Sequence, residues 1–269
     1  MNQLSTGQFF GQTNRIIELN GITLTDTEYT HDKVDWHYHD NAYFTFILQG
    51  NVTEGNRKET YNCSGGSLIF HNWQDPHYNI KPEGYTRGFH IEILPGWFDK
   101  LSFNIDSLDG SYIISNPDIK FLFYRIFNES KVASALCQVA IEGLLLKIFS
   151  FMLRMDEKRS RSKPEWVEKV TEILNDDNSE PLCLEHLSKS LGIHPVHLSR
   201  DFPKYFQCNI GDYIRKLKIE RSMSLLSNKE LSLTEIAHIC GFSDQSHFIR
   251  CFKKINYMKP FPFRKILLS

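Results

Sequence analysis

The sequence predicts a multidomain protein: an all-β N-terminal domain, then a helical segment, then an all-α C-terminal domain. Three observations predict it. Short apolar runs at roughly ten-residue spacing, punctuated by turn residues, fill the chain to about residue 115. From Pro117 onward apolar residues recur at steps of three to five, the period of an amphipathic helix. A helix–glycine–helix pattern then occurs twice near the C-terminus. The 269 residues are enough for two domains. Hydrophobic content of 41% against 23% charged residues excludes a disordered chain. The expected boundaries are 1–115 for the β domain, 116–155 for the helical segment, 156–164 for a linker and 165–269 for the C-terminal domain.

In the first domain, YFTFILQG (43–50) is a β-rich run closed by Gly50. NCSGGSLIFH (62–71) sets a Gly-Gly turn before an apolar run, and TRGFHIEIL (86–94) is another strand. Turns fall at Asn20-Gly21, Glu54-Gly55-Asn56 and Glu83-Gly84. The pattern fits a barrel or a sandwich. Ile119, Leu122, Ile126, Leu136, Val139, Leu144, Ile148 and Met152 mark the helical segment, with a break near Asn128-Glu129-Ser130. DEKRSRSKP (156–164) is charged, poor in apolar residues and ends in proline, as a linker does.

Short helices follow: EWVEKVTEIL (165–174), LEHLSKSL (184–191) ending at Gly192, the long NIGDYIRKLKIERSMSLL (209–226), and LTEIAHIC (233–240) ending at Gly241. Ser232 and Glu235 form a capping box. Leu184 and Leu233, Leu187 and Ile236, and Gly192 and Gly241 correspond at a constant offset of 49 residues. Beyond the turn the offset slips by one, since Arg200 matches Arg250 and Phe202 matches Phe252. A short helix, a glycine able to take the left-handed turn, and a second helix make a helix-turn-helix. Alone, such a pattern is equally a plain helical hairpin. Two in tandem, joined by a helix ~27 Å long, suit adjacent major grooves ~34 Å apart.

Net charge is −1. Residues 1–162 carry 15 Lys and Arg against 19 Asp and Glu, while residues 163–269 carry 16 against 13. The C-terminal part is therefore mildly basic, as a nucleic-acid-binding end would be. Six cysteines without C-x-x-C spacing read as reduced thiols. No signal-peptide run opens the chain, and LLLKIFSFMLRM (144–155) is too short to span a bilayer. The expectation is a cytoplasmic protein without a membrane partner.

LEHLSKSLGIHPVHLSRDF, GDYIRKLKIERSMSLL and LTEIAHICGFSDQSHFIRCFKK resemble the DNA-binding domain of the AraC/XylS family of bacterial transcription regulators. The resemblance covers the last hundred residues in order. It implies a sequence-specific regulator that is not an enzyme and uses no cofactor. It implies that Val196, His197, Ser199 and Arg200 face the groove in the first unit, and Gln245, Ser246, His247 and Arg250 in the second. Arg can grip guanine and Gln can pair with adenine. Lys204, Lys253 and Lys254 would contact phosphates or remain solvated. Three departures stand out. Pro203 falls inside the first recognition helix, where a bend is expected. Cys183 replaces a good N-cap. The final YMKPFPFR (257–264) keeps Pro260, Phe263 and Arg264 of the family pattern but suggests a short or irregular last helix.

WHYHDNAYFTFILQG (36–50) and GGSLIFHNWQDPHYN (65–79) resemble the two sequence blocks of the cupin barrel, the usual sensor in one branch of that family. The resemblance implies a small-molecule effector of unknown identity in the barrel. Candidate lining residues are Trp36, His39, Phe44, Phe46, Trp73 and His77, half of which would face outward or pack the core. Metal-binding cupins use two histidines and a carboxylate from the first block and a histidine from the second. His37, His39 and His77 match, but Tyr43 stands near the place of the carboxylate, so no metal is expected. A metal-dependent cupin enzyme with a helical appendage is the alternative reading. Family practice and the apolar LLLKIFSFML imply a homodimer through residues 116–155. RNA polymerase joins the partners if the regulator activates.

Overall fold

Side chains alternate across a strand, and in the N-terminal unit that alternation divides a packed exterior from a polar interior. The computed structural model describes residues 2–100, 108, 110–132, 136–159, 164–175 and 183–268. The chain separates into two units, Met1–Phe149 and Ser150–Ser269. In the first unit the strands are β1 (Asn2–Leu4), β2 (Gln12–Leu19), β3 (Ile22–Glu28), β4 (Lys33–His39), β5 (Ala42–Gln49), β6 (Asn51–Asn56), β7 (Thr60–Ser64), β8 (Leu68–His71), β9 (His77–Ile80), β10 (Arg87–Ile93) and β11 (Tyr112–Ile113). One sheet has the order β1-β4-β9-β6-β7 and the other β11-β8-β5-β10-β3-β2. The run 62–71 splits into β7 and β8 because Gly66 turns at φ +91°.

Strand β5 lies at the centre of the six-stranded sheet, with Phe44 opposite Phe70 on one side and Ile91 on the other. Its odd and even positions serve different faces. Phe44 and Phe46 point outward to Phe123 and Tyr124 of helix α2 (Pro117–Ser130), which follows the short helix α1 (Pro95–Lys100). Phe44 also meets Phe149 of helix α3 (Cys137–Arg159), ring centroids 5.8 Å apart. Helix α2 starts at Asn116, whose side chain accepts from the backbone N–H of Asp118 and Ile119. At its other end Lys131 reaches Asp26, which Arg87 already grips through two hydrogen bonds of 2.7 and 2.6 Å. Asp26 and Arg87 are buried and Lys131 is half-buried, so removing Arg87 would leave a buried carboxylate with one cation instead of two.

Two boundaries differ from expectation. Helix α3 continues through Arg159, so residues 156–159 of the expected linker are helical, and 160–163 lie outside the described residues. The expected break between helices falls just after Ser130.

The second unit contains α4 (Glu165–Asn175), α5 (Leu184–Leu191), α6 (Pro195–Phe206), α7 (Ile210–Leu225), α8 (Leu233–Ile239), α9 (Gln245–Asn256) and α10 (Pro260–Leu267). Val170, Leu174, Leu187, Leu198, Phe202 and Ile214 form the core of its first half. In its second half Phe252 sits between Phe248 and Phe263, at 5.7 and 5.3 Å. Gly192 and Gly241 both take the left-handed turn, at φ 64° and 72°. The next helices cap at His194 and Asp244. One additional residue in the second turn accounts for the slip in offset.

The departures resolve individually. Helix α6 runs unbroken past Pro203 to Phe206. Cys183 does cap α5, with its Sγ accepting from the N–H of His186 at 3.5 Å, a weak acceptor in place of oxygen. Helix α10 is regular, since Pro260 occupies its first turn and Lys259 precedes it in extended conformation. The connector α7 has 16 residues, with Asn209 and Leu226 as its caps, and is ~24 Å long.

Phe44 was a candidate effector contact, but it is fully buried against the helices. Phe44→Ala should therefore lower stability by about 3–5 kcal/mol, read as a lower urea midpoint for the barrel. A change below ~1 kcal/mol would contradict its role in packing.

Candidate nucleic-acid interface and barrel cavity

In each half of the second unit one buried phenylalanine anchors a recognition helix from below. Phe202 and Phe252 are both completely buried. Val196, His197, Ser199, Arg200 and Lys204 are exposed on α6. Ser246, Arg250, Lys253 and Lys254 are exposed on α9, with Gln245 and His247 half-buried at its start. The structure thus brings every one of these eleven residues onto two helices, clear of the cores.

The two helices are chemically unequal. On α6, Asp201 accepts from Lys204 Nζ at 2.7 Å and from Arg200 Nε at 3.3 Å. Those two cations hold its carboxyl down at about 2. The corresponding position of α9 is Cys251. On α9, Asp244 is the N-cap, accepting from the N–H of His247 at 2.7 Å. Gln245 Oε1 accepts from Thr234 Oγ1 at 2.8 Å, which fastens the start of α9 to α8.

Two further residues hold the second unit in place: Lys218, which sequence reasoning did not single out, and Arg264. Lys218 of α7 donates to the carbonyl of Gly241 at 2.6 Å and so supports the turn. Arg264 donates to the carbonyls of Leu226 and Leu231 at 3.2 and 2.8 Å, bracing the loop between α7 and α8. Arg264 was noted as a family match, and its pair of carbonyl partners gives the physical reason.

In the barrel, the inward positions of β4, β5, β8, β9 and β10 carry His37, His39, Tyr43, Thr45, His71, His77 and His90. All are buried. His37 Nδ1 meets the carbonyl of Asp35 at 2.9 Å and His77 Nδ1 that of Asp75 at 3.1 Å. Tyr43 Oη is 2.9 Å from His77 Nε2. Glu54 Oε1 lies 3.4 Å from His71 Nε2, too poorly directed for a hydrogen bond, and Asn79 donates to Glu54 at 3.1 Å. The N-terminal arm closes this space. Phe9 stacks on His90 with centroids 3.8 Å apart and the rings 11° from parallel, and Phe10 meets His37 edge-on. Gly7 N–H donates to Glu92, which also accepts from Asn41.

Of the six candidate lining residues, His39 and His77 line the cavity. The other four do not. Phe44 and Phe46 have the opposite strand parity and pack on the helices. Trp36, next to His37, points outward against Tyr78, and Trp73 is 48% exposed in a turn. Phe9, Phe10, Tyr29, Thr45, Glu54 and His90 are among the other residues of the lining. Their convergence from distant strands left no local signal, although the parity of Tyr43 and Thr45 was available from the strand. With the arm in place, the space open to the centres of water molecules is only ≈ 30 Å³.

A β-barrel enclosing a polar cavity, followed by tandem helix-turn-helix units, defines a class of two-domain transcription regulator. The AraC-like ligand binding domain matches residues 19–149 and a helix-turn-helix domain matches residues 187–266. The Msm operon regulatory protein of Streptococcus mutans is 31% identical over 92% of this chain and 95% of its own length. The regulator GbdR of Pseudomonas aeruginosa is 28% identical over 33% of this chain and 24% of its own. ToxT from Vibrio cholerae aligns over 93% of this chain and 98% of its own at 14% identity, with a TM-score of 0.39, too low to carry an argument. The chain belongs to the AraC family: a DNA-binding transcription regulator with an N-terminal, cupin-like ligand-binding domain. Among the described residues, no helix is long and apolar enough to cross a membrane.

Burial makes the barrel sensitive to pH. Desolvation, reinforced by neighbouring histidines, holds His39 down at about 2 and His77 at about 3, and burial holds His90 at about 3. His37 and His71 are lowered for the same first reason. An unfolded histidine takes a proton near pH ~6.5, so below that pH unfolding absorbs protons that the barrel refuses, and stability is lost as pH falls. Glu54 works in the opposite sense. Burial pushes it up to about 8, so the folded carboxyl keeps a proton that the unfolded chain releases above pH ~4.5, and its contribution falls as pH rises towards 8. Glu92 is raised as well. Five imidazoles outweigh two carboxyls between these limits. The thermal midpoint of the barrel should therefore fall from pH 7 to pH 5 in differential scanning calorimetry, and a flat or rising midpoint would contradict this account.

Proposed function

We propose that the chain reads double-stranded DNA with α6 and α9 in two adjacent major grooves, under the control of a small molecule bound in the barrel. The observation that carries this is the duplicated surface: two recognition helices, each anchored by a buried phenylalanine and each presenting a cation to solvent at the same position, Arg200 and Arg250. Arg250 grips a guanine edge and Gln245 an adenine. Val196, 64% exposed, suits the methyl group of thymine. His197, Ser199, Ser246 and His247 complete the base-facing set, while Lys204, Lys253 and Lys254 meet phosphates.

The effector occupies the space that Phe9 and Phe10 now close, so its entry requires the arm to move. It acts by binding one arrangement of the protein better than another, since equal affinity would shift nothing. A homodimer through residues 116–155 fits the exposed apolar positions Leu136, just before α3, and Val139 and Leu146 within it. RNA polymerase is a further partner if the regulator activates. The protein works in the cytoplasm, uses no cofactor and is not an enzyme, in keeping with relatives that are regulators.

Arg250→Ala should cost ~1–3 kcal/mol at the target site and much less on non-specific DNA, measured by fluorescence anisotropy with both duplexes. An equal loss on both would remove Arg250 from base contact. Asp201→Asn should do the reverse. It frees Arg200 and Lys204 and removes an anion from the phosphate-facing side, so affinity rises on all sequences and the salt slope steepens by about one phosphate contact. Weaker binding by the variant would show that Asp201 organises the helix for contact instead of restraining it.

A further inference from the structure

We propose that Thr234 sets which purine the second recognition helix accepts, by holding the amide of Gln245 so that it pairs with adenine and rejects guanine. This rests on the reading of α9 as a groove helix, and it adds a positioning residue that lies on a different helix.

Thr234 is the second residue of α8 and is exposed. Its Oγ1 donates to Gln245 Oε1 at 2.8 Å. Both side chains start from well-anchored backbone. The capping box holds the first turn of α8: Glu235 N–H donates to Ser232 Oγ at 3.2 Å, and Ser232 N–H to Glu235 Oε2 at 2.8 Å. Asp244 caps α9 directly before Gln245, accepting from His247 N–H at 2.7 Å. Between the two helices, Lys218 braces the turn through the carbonyl of Gly241. The hydroxyl and the amide therefore meet because two helix starts are fixed side by side.

A glutamine amide has an acceptor at one end and a donor at the other. The adenine edge is its complement, an N6 donor beside an N7 acceptor. The guanine edge presents two acceptors, O6 and N7. The Thr234 hydroxyl uses one lone pair of Oε1. The second lone pair accepts from adenine N6 while Nε2 donates to N7. Opposite guanine the same oxygen faces O6, and two acceptors repel. An untethered glutamine escapes by turning its amide over. A tethered one gives up the bond to Thr234 if it does so. The tether also orders the side chain before DNA arrives, which lowers the ordering cost of binding.

The first unit has no counterpart. In the register of the repeat, Glu185 stands where Thr234 does and Pro195 where Gln245 does. A proline side chain has nothing to hydrogen-bond. Purine selection of this kind belongs to one groove only, so the recognised sequence is asymmetric.

The test uses the full chain as wild type, Thr234→Val, Thr234→Ser and Gln245→Ala. Each is mixed with a pool of duplexes with a randomised centre, and the bound duplexes are sequenced to give the base preference at every position. Valine keeps the shape of threonine without its hydroxyl, and serine keeps the hydroxyl. At one position the wild type should favour adenine over guanine by about 10-fold or more, and Thr234→Val should cut that preference to about 2-fold. Gln245→Ala should abolish it at the same position, and Thr234→Ser should restore it. Preferences set by Arg250 and by α6 should hold in all three variants. A Thr234→Val profile identical to the wild type overturns the proposal. So does an equal weakening at every position, which is what a purely structural role would produce. If Gln245→Ala leaves every position unchanged, Gln245 reads no base and the role of Thr234 falls with it, while the remaining preferences still support the regulator. A wild type that enriches no sequence would instead overturn the two-groove reading itself, and this one with it.

Discussion

Strand β5 must serve two incompatible surfaces at once, and the N-terminal unit is arranged around that constraint. Its even residues, Phe44 and Phe46, are the floor on which α2 and α3 pack. Its odd residues, Tyr43 and Thr45, are the wall of the cavity. A period of two permits this without compromise, because the faces share a backbone but no side chains. It also forbids any slip, since a one-residue shift would expose phenylalanines to the histidine cluster and bury hydroxyls under helices. The flanking strands obey the same rule. Phe70 and Phe89 go outward while His71 and His90 go inward.

The polar interior is stable only because it is neutral. Five histidines that would each be partly charged in water are kept uncharged by burial, and Glu54 is kept protonated for the same reason. Charged, they would repel one another across a low-dielectric space. Neutral, they offer lone pairs and a closed cavity, which is suitable for recognition. The N-terminal arm completes the enclosure, with Phe9 lying flat on His90.

How far these features are legible depends on how local their causes are. The tandem repeat could be read because each signal sits within a few residues: Gly192 and Gly241 for the left-handed turns, Ser232 with Glu235 for the capping box. Helix α10 is short, as expected, but regular, since a proline in the first turn costs a helix little. The cavity was less legible. His39 and His77 came from the resemblance to the cupin blocks, but Phe9, Glu54 and His90 converge from strands and an arm far apart in sequence. Phe44 and Phe46 were attractive as aromatics, and only the parity of β5 relative to His37 and His39 on β4 assigns them to the helices. Asp201 escaped notice because it lies beside Arg200, and adjacency in a helix does not ordinarily bring side chains together.

The central claim is that the C-terminal unit reads DNA through two grooves. Fluorescence anisotropy of the full chain tests it most directly, with a duplex from its own upstream region and a scrambled duplex, across a salt series. The account predicts tighter binding to the native duplex and a log-log salt slope reporting several phosphate contacts, with protection of two segments about one helical turn apart in a footprint. No salt-dependent binding to either duplex, even at low ionic strength, would contradict it.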